Sequence, residues 1–405
     1  VTKYEPVKRR ADAYQSEAEL EKEFIHLLTE QGYEYLQIHK EEDLIANLRR
    51  KLEELNNYSF SDSEWQRFFT ECIANKNEKI IEKTRKIQED NVQVLTRDNG
   101  MTKNITLIDK KNIHNNILQV INQYTISAKQ GARHDNRYDV TILVNGLPLV
   151  HIELKRRGVA IREAFNQIDR YQRDSFWAGS GLYEYVQIFV ISNGTNTKYY
   201  SNSTRFNAIK DARPGQRKKE KTSNSFEFTS FWADATNKII PDLIDFTKTF
   251  FSRHTILRIL IQYCVFTAEN VLLVMRPYQI TATERILNRI EISNNYKRYG
   301  SIAGGGYIWH TTGSGKTLLA QTLAKMLASQ LDYIDKVLFV VDRKDLDYQT
   351  MKEYDRFEKG AANSNTKTSI LKKQLEDQNA RIIITTIQKL STFIKKYKEH
   401  EVFNK

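Results

Sequence analysis

A glycine loop at Thr311–Thr317 is the strongest constraint on the fold. Its sequence, TTGSGKT, follows the apolar stretch GGYIWH and precedes an apolar stretch from Leu318 to Leu327. Strand, glycine loop and helix in this order are the context of a phosphate-binding loop. Glycines let backbone N–H groups and the helix N-terminus approach the phosphates closely. The pattern predicts an α/β domain with a nucleotide site at Thr312, Gly313, Ser314, Gly315, Lys316 and Thr317.

Two residues of this loop have specific expected roles. Lys316 is expected to reach the β and γ phosphates of the nucleotide, and Thr317 is expected to bind Mg²⁺. The alternative is a glycine-rich helix cap with no ligand. The flanking strand and helix patterns favour the nucleotide site.

Length and charge limit the class of protein. A chain of 405 residues is too long for one ordinary core and predicts two or three folded units. Hydrophobic residues make up 40% and charged residues 28%, which argues against global disorder. The net charge of +12 indicates, weakly, a polyanionic partner such as nucleic acid.

Cysteine usage and hydropathy predict a cytoplasmic protein. Cys72 and Cys264 are far apart and have no zinc-ligand spacing, so neither a disulfide framework nor a zinc site is expected. The most apolar stretch, Thr255–Thr267, is shorter than the roughly 20 residues that a bilayer requires. It is predicted to be a buried helix. Residues 1–14 are basic without a secretion signal and are expected to form an N-terminal extension.

The first half changes from helical to strand periodicity near residue 90. Residues 15–90 predict three or four helices, with a capping box at Ser61–Glu64. An Asn145-Gly146 pair predicts a hairpin turn, and a helix is predicted from Arg162 to Asp174. The strands predicted for a mixed sheet are NVQVLT, ILQVINQY, RYDVTILV, LPLVHIEL and YVQIFVIS.

The second half begins with a polar stretch rich in Lys and Arg, residues 205–224. It predicts a solvated loop or, alternatively, a loop that contacts phosphates. Apolar helices are predicted from Phe231 to Phe266. A second α/β pattern then starts near Arg276, with strands at GGYIWHT, KVLFVVD and ARIIITT separated by helices.

Three polar residues on two neighbouring predicted strands suggest hydrolytic chemistry. Asp139 lies in RYDVTILV, and Glu153 and Lys155 lie across the Asn-Gly turn. Residues two apart in a strand share a face, so Glu153 and Lys155 project together while Ile152 and Leu154 face the opposite, buried side. Two carboxylates can hold Mg²⁺, and a lysine can orient a water and stabilise charge on a phosphate.

An E-x-K tripeptide alone is common and usually marks a solvated strand face. Here it interrupts an apolar run, follows an aspartate in the preceding strand and precedes a helix, which favours a functional site. Gln167 and Tyr171 lie four apart on one face of that helix. Alone they would indicate an amphipathic helix with a half-buried tyrosine. Glu17 and Glu21, in a Glu-rich helix, could supply an additional carboxylate.

Three further segments accompany the glycine loop. Arg276-Pro277 predicts a helix start, and Gln279 is a candidate for reading adenine through its amide. Residues 337–343, VLFVVDR, resemble the strand-end motif of helicases that contacts the DNA backbone, and residues 384–388, ITTIQ, resemble the motif that follows it. Each alone is more often a plain buried strand. Their order along the chain favours the functional interpretation.

These motifs carry a resemblance to two known folds. Asp139, Glu153 and Lys155 match the motif positions of the PD-(D/E)xK nuclease fold, although Tyr138 stands where the leading Pro would be. Gln167 and Tyr171 resemble the QxxxY helix beside the catalytic site of such nucleases. The later segments resemble the first RecA-like domain of a superfamily 2 helicase. His310 replaces the first glycine of the longer loop pattern, as helicase-type translocases commonly show.

The combination is similar to the restriction (R) subunit of type I restriction enzymes. The resemblance implies a nuclease domain at 15–204, a basic loop and helical connector at 205–265, and an ATP-binding domain at 266–405. It also implies ATP and Mg²⁺ as cofactors and ATP-driven movement and cleavage of unmethylated double-stranded DNA. The implied partners are methyltransferase (M) and specificity (S) subunits, with no membrane.

The sequence departs from this pattern near its end. An acidic Walker B motif and the arginines of a second RecA-like domain are absent. We therefore expect a fragment that does not hydrolyse ATP efficiently. Two other hypotheses stay open: a DNA-binding or subunit-docking piece without turnover, and a repair nuclease-helicase. The order of nuclease first and motor second argues against most of the latter.

Overall fold

The computed structural model describes residues 2–6, 15–203, 225–267, 269–311, 314–331, 333–341 and 368–397. The chain divides into two compact units. The first comprises residues 1–266 and 270–277, and the second comprises residues 267–269 and 278–405. The basic segment 205–224 lies outside the described residues, so its two interpretations stay open.

Four α-helices form within residues 15–90 of the first unit, as predicted: α1 Glu17–Glu30, α2 Glu41–Asn56, α3 Asp62–Phe68 and α4 Ile80–Gln88. The capping box before α3 is confirmed. The Ser61 hydroxyl accepts a hydrogen bond from the Glu64 N–H, and the Glu64 carboxylate accepts one from the Ser61 N–H. Both bonds satisfy donors that a helix N-terminus leaves without partners. The apolar faces of α1 and α2 are buried through residues such as Phe24 and Leu48.

The core of the first unit is a mixed sheet of seven strands in the order β1-β4-β5-β6-β7-β8-β9. The β1–β4 and β6–β7 pairs are parallel and the other pairs are antiparallel. Helix α5, Ile161–Asp174, connects β6 to β7 as the parallel pairing requires. The strands are β1 Glu34–Tyr35, β4 Leu118–Ile126, β5 Asn136–Val144, β6 Leu147–Leu154, β7 Ile188–Ser192, β8 Thr197–Ser201 and β9 Ser230–Phe231.

One predicted strand does not join this sheet. NVQVLT forms β2, Val92–Thr96, which among the described residues pairs with β3, Thr102–Thr106, alone in a separate hairpin. Leu95 and Ile105 are buried on one face of the hairpin, whereas Val94 is exposed on the other. The strand prediction is confirmed, but its place in the mixed sheet was wrong because strand periodicity carries no information about the partner.

The hairpin turn between β5 and β6 is confirmed. Asn145 and Gly146 have φ of +52° and +84°, which suits a two-residue turn with both residues in the left-handed region. A Cβ on Gly146 would lie 2.6 Å from the Leu48 Cα on α2. Gly146 therefore permits both the turn and the close approach of the helix. Every residue of β6 is buried.

Two helices complete the first unit: α6, Leu243–Phe250, and α7, Arg253–Ile261. The helix predicted over Thr255–Thr267 ends early, and the helical region predicted from Phe231 to Phe266 is wrong at both ends, because Phe231 belongs to β9 and residues 232–242 form no α-helix. Cys264–Phe266 instead forms β10, which pairs antiparallel with β11, Leu272–Val274. The prediction was wrong there because a short apolar run fits either element, and the nearby partner strand decides.

The second unit contains the helices α8 Pro277–Asn295, α9 Lys316–Gln330, α10 Thr368–Glu376 and α11 Ile387–Lys396. Both of its predicted strands are confirmed, β12 Val337–Val341 and β13 Ile382–Thr386, and they pair in parallel. The strand predicted at GGYIWHT is wrong, because residues 305–311 form no strand. Tyr307 and Trp309 are each 90% exposed. A strand requires a hydrogen-bonded partner strand. In the described part of this unit β12 and β13 pair with each other and not with residues 305–311.

In the described part of the chain no helix has both the length and the apolarity to cross a membrane.

Candidate functional site

The β5–β6 hairpin brings Asp139, Glu153 and Lys155 together. Val140 pairs with Ile152, so Asp139 and Glu153 lie across from each other. The Leu154 N–H donates to Asp139 Oδ2 over 2.9 Å, and Lys155 Nζ donates to Glu153 Oε1 over 3.3 Å. The three polar groups therefore form one cluster, as the strand alternation predicted.

Burial determines the electrostatics of this cluster. Glu153 is 0% exposed and Lys155 is 9% exposed. Burial raises the pKa of Asp139 to about 7, and the negative charge of Glu153 adds to the rise. Burial also raises the pKa of Glu153 to about 8 against the opposing charge of Lys155. Two carboxylates this close in a largely dehydrated place are costly to ionise together, and Lys155 offsets only part of that cost for Glu153.

The cluster fits a divalent cation that prefers oxygen ligands. Glu153 Oε2 is buried and has no hydrogen-bond partner. Asp139 and Glu153 offer two carboxylates, which is a common protein contribution to a Mg²⁺ site. Within the described ranges no group of three or more His, Cys, Asp or Glu side chains is arranged to hold a metal. The remaining Mg²⁺ ligands would then be water and phosphate oxygens.

Gln167 and Tyr171 connect α5 to the strand that carries Asp139. The Tyr171 hydroxyl accepts a hydrogen bond from Gln167 Nε2 over 2.5 Å and donates one to the Arg137 carbonyl over 2.8 Å. The Tyr171 ring packs on Tyr138, with centroids 4.8 Å apart. Tyr171 is fully buried rather than half-buried. These bonds therefore tie α5 to β5 at Arg137, two residues before Asp139.

Glu21 on α1 faces the same region. Its carboxylate accepts hydrogen bonds from the side chains of Asn122 and Gln123 on β4. Burial raises the pKa of Glu21, and the charge of Asp139 contributes to the rise. The charge of Glu17 contributes to the raised pKa of Glu153. The first helix is therefore close enough to act electrostatically on the carboxylate pair.

His151 also belongs to this cluster, although it was not predicted as a site residue from the sequence. Its ring is fully buried, and its Nε2 lies 3.5 Å from Glu153 Oε2. Its Nδ1 lies 3.3 Å from Thr141 Oγ1. Burial lowers the pKa of His151 to about 4. The sequence pattern could have placed His151 in the cluster, because His151, Glu153 and Lys155 are spaced two apart and therefore share a face of the strand.

The glycine loop begins helix α9. Gly315 has φ of +76° and directly precedes the helix. The Ser314 hydroxyl donates to the Thr311 carbonyl over 2.7 Å. Lys316 Nζ lies 3.3 Å from the His310 carbonyl and 3.4 Å from the Thr311 carbonyl. The lysine therefore folds back over the loop. Thr312, Gly313 and the side chain of Thr317 lie outside the described residues.

Gln279 on α8 lies against this loop. Its Nε2 donates to the carbonyls of Ser314, over 3.0 Å, and Gly315, over 3.3 Å. The Tyr278 hydroxyl donates to the same Ser314 carbonyl over 2.8 Å. These bonds place Gln279 beside the loop, and its role in reading adenine stays a prediction. In VLFVVDR the strand is confirmed to Val341, and the last two residues lie outside the described ranges.

Two family models match the chain. One is described as the N terminus of the type I restriction enzyme R protein and matches residues 14–208. The other is described as a SWI2/SNF2 ATPase and matches residues 278–405. The first covers the carboxylate cluster and the second covers the glycine loop.

Curated relatives agree with the first model. The chain is 50% identical over 292 residues to the type I restriction enzyme EcoprrI endonuclease subunit of Escherichia coli, covering 72% of this chain and 87% of that protein. It is 40% identical over 388 residues to the SsaAORF53P endonuclease subunit of Staphylococcus saprophyticus, covering 94% of this chain and 37% of that protein. The SauMSSORF170P subunit of Staphylococcus aureus is 38% identical over 389 residues.

The chain therefore spans little more than a third of the length of the staphylococcal relatives and most of the Escherichia coli protein. The Escherichia coli relative is 50% identical, and the match covers 87% of its length. The family model that matches residues 14–208 points to the same kind of protein. The chain belongs to the family of type I restriction enzyme endonuclease subunits.

Proposed function

We propose that this chain supplies the nuclease and the first part of the motor of a type I restriction complex. In this proposal a PD-(D/E)xK nuclease domain at 15–204 cuts unmethylated double-stranded DNA with Mg²⁺, away from the recognition site. A RecA-like domain at 266–405 binds ATP for DNA translocation. The observation that carries the proposal is that half-buried Asp139 and fully buried Glu153 lie together beside Lys155 at one hairpin.

Asp139 and Glu153 would hold the Mg²⁺. The support is the unpartnered Glu153 Oε2 and the raised pKa of both carboxyls, since a cation relieves the cost of two buried negative charges. When bound, Mg²⁺ supplies Lewis-acid polarisation of the phosphate that is cut. The Leu154 N–H donates to Asp139 Oδ2 and fixes the orientation of this carboxylate. A backbone donor, and not a mobile side chain, therefore holds this metal ligand in place.

Lys155 is placed to act on the reacting groups. Its ammonium can donate to a water and to a phosphate oxygen while its bond to Glu153 Oε1 fixes its position. A donor held in a partly dehydrated site stabilises the negative charge that develops on the phosphate. Gln167 and Tyr171 complete the catalytic set in this proposal. Tyr171 positions α5, and Gln167, which is half-buried, can also reach the DNA.

The glycine loop would hold ATP. Ser314, Gly315 and Lys316 start helix α9, whose N-terminal N–H groups favour a bound phosphate. Thr312, Gly313 and Thr317 complete the loop, with Thr317 as a ligand of the nucleotide's Mg²⁺ and Gln279 as the adenine contact. The ATPase family model that matches residues 278–405 supports this assignment.

The proposed partners follow from the family. Methyltransferase and specificity subunits would complete the complex, and the specificity subunit would read the DNA sequence. The net charge of +12 supports double-stranded DNA as the substrate. A cytoplasmic location is part of the proposal because the DNA to be cut is there.

The test is cleavage of unmethylated plasmid DNA by the restriction subunit that carries this sequence. It is reconstituted with its methyltransferase and specificity subunits, ATP and Mg²⁺. We expect Lys155→Ala and Lys316→Ala each to abolish cutting, and only Lys316→Ala to abolish ATP hydrolysis. Lys129→Ala, at an exposed lysine outside both sites, is the control. Normal cutting by Lys155→Ala would show that the first domain is a DNA-binding or docking module instead.

A further inference from the structure

His151 is a buried polar group that the proposed nuclease chemistry does not use. Aromatic rings enclose its imidazole, with centroids 5.6 Å from Tyr138, 5.7 Å from Phe176 and 6.1 Å from Tyr171. An apolar side chain would fill such a space without leaving a polar nitrogen in it. Burying a polar atom is costly unless it finds a partner. His151 Nε2 has no hydrogen-bond partner, and neither has the Glu153 oxygen that it faces.

A line of polar atoms passes through this imidazole toward the carboxylate pair. Tyr183 Oη lies 3.2 Å from Thr141 Oγ1, which lies 3.3 Å from His151 Nδ1. On the other side of the ring, Nε2 lies 3.5 Å from Glu153 Oε2. Thr141 pairs with His151 across β5 and β6, so the sheet itself fixes the first half of this line.

The direction of the protons follows from the donors available. Tyr183 and Thr141 each have one hydroxyl hydrogen. If Tyr183 donates to Thr141 and Thr141 donates to His151 Nδ1, both hydrogens are used and the imidazole proton lies on Nε2. In the reverse direction His151 Nδ1 donates to Thr141, and Thr141 donates to Tyr183. The Tyr183 hydroxyl hydrogen then loses Thr141 as its acceptor, and the lone pair of His151 Nε2 faces the Glu153 carboxylate. An ionised Glu153, which a metal ligand must be, favours the first arrangement.

Val140 offers the competing acceptor. Its backbone also acts on His151 and favours the protonated ring. An N–H on Nδ1 that is donated to this backbone would give the other tautomer. That tautomer would leave Glu153 Oε2 without a donor from His151, so the two arrangements differ in what they do to the metal-binding carboxylate.

We infer that His151 is a positioning residue that holds Glu153 Oε2 through its Nε2–H, with Thr141 and Tyr183 fixing the tautomer. This inference rests on the proposed function. Glu153 Oε1 is then left for the cation and for Lys155. The present 3.5 Å separation is longer than an ordinary hydrogen bond, and bonds of this kind commonly shorten when the ligand is bound. Groups that orient metal ligands in this way typically change metal affinity about 10- to 100-fold.

The test is direct Mn²⁺ binding to this chain, measured by the electron paramagnetic resonance of free Mn²⁺. We expect His151→Phe to weaken binding about 10- to 100-fold. His151→Gln, which returns an N–H donor near the Nε2 position, should recover most of the affinity. Thr141→Val removes only the hydroxyl that fixes the tautomer and should give a smaller loss. The control is His26→Phe on an exposed helix face, which should bind like the wild type.

Two results would overturn the inference. The first is wild-type Mn²⁺ affinity in a folded His151→Phe chain. The second is an imidazole proton on Nδ1, seen in the ¹⁵N resonances of histidine-labelled chain saturated with Mg²⁺. The second measurement reads the signal of the wild-type chain, so it does not depend on whether a His151 variant folds. The Thr141→Val variant helps to assign that signal to His151.

A Glu153→Gln variant separates this inference from the proposed function. If Glu153→Gln abolishes Mn²⁺ binding and His151→Phe does not alter it, the metal site stands and only the role of His151 fails. If Glu153→Gln binds Mn²⁺ as the wild type does, the metal site is wrong and the inference fails with it.

Discussion

At the residue scale, Asp139 and Glu153 make stability depend on pH. Their pKa values in the folded chain are raised to about 7 and about 8. The folded state therefore keeps protons that the unfolded chain releases near the ordinary carboxyl pKa of about 4. This contribution is fully present below that pH and is lost as the pH rises through 7 and 8. Without metal, the pair therefore destabilises the fold at alkaline pH.

Asp139→Asn tests this sign. In the presence of EDTA we expect the wild type to lose more stability than the variant between pH 5 and pH 9, by on the order of 2 kcal/mol. Thermal unfolding across this pH range measures the difference. Mg²⁺ should restore the wild type at pH 9 and leave Asp139→Asn unchanged. Asp62→Asn, at an exposed site, is the control. Parallel pH curves for wild type and Asp139→Asn would contradict the expectation.

Tyr171→Phe tests the anchoring of α5. The substitution keeps the ring on Tyr138 but removes a hydroxyl that has both a donor and an acceptor in the interior. We expect a loss of about 1–3 kcal/mol in the free energy of unfolding, measured in urea, because the Arg137 carbonyl and the Gln167 amide both lose the Tyr171 hydroxyl as a partner. Tyr35→Phe removes an exposed hydroxyl that is bonded to Asn122 and should cost much less. Equal losses would argue against a special role for the Tyr171 hydroxyl.

At the element scale, the β5–β6 turn packs the strands that carry Asp139 and Glu153 against α2. Gly146 has a positive φ, and an added Cβ would meet Leu48 backbone. We expect Gly146→Ala to cost about 2–5 kcal/mol, since backbone strain and overpacking add. Gly158→Ala is the matched control, because Gly158 also has a positive φ but nothing lies within 4 Å of its added Cβ. Its cost should be about 1 kcal/mol.

Chemical denaturation of the two variants measures this difference. If Gly146→Ala and Gly158→Ala unfold at the same urea concentration, the contact between the turn and α2 does not limit the fold. A loss of Mn²⁺ binding in Gly146→Ala at temperatures where it is still folded would further show that the turn sets the relative position of Asp139 and Glu153.

The glycine loop has its own matched pair. A Cβ on Gly315 would lie 2.5 Å from the Gln279 amide nitrogen, which is buried and bonded to the loop, whereas a Cβ on Gly300 would meet nothing. Both glycines have positive φ. We expect Gly315→Ala to weaken binding of a fluorescent ATP analogue at least about tenfold by displacing Gln279 and the loop. Gly300→Ala should bind as the wild type does. Unchanged binding by Gly315→Ala would count against a phosphate site here.

At the scale of the whole molecule, the excess of 62 Lys and Arg over 50 Asp and Glu predicts how DNA binding responds to salt. Phosphate contacts release counterions, so affinity falls steeply with salt concentration. We expect the affinity for a short duplex to fall about 10³-fold between 50 and 200 mM salt if roughly six phosphates are contacted. Fluorescence anisotropy measures it. Affinity that does not change with salt would argue against backbone binding of DNA.

Local patterns were sufficient for much of this molecule. The capping box at Ser61, the Asn145-Gly146 turn and the alternation of Glu153 and Lys155 were all predictable. Each depends on backbone geometry within a few residues, and a short sequence fixes that geometry directly. The resemblance to type I restriction enzymes could be recognised from the sequence for the same reason, because its motifs are short and occur in a set order along the chain.

Long-range contacts determined the rest. The partner of β2, the strand at Cys264–Phe266 and the absence of a strand in residues 305–311 depend on which segments meet, and strand periodicity does not encode the partner. The same holds for His151. Thr141 is 10 residues from His151 in the chain, and Tyr183 is 42 residues from Thr141. Sequence alternation could place His151 beside Glu153, but only packing in the folded chain buries both groups and leaves them facing each other.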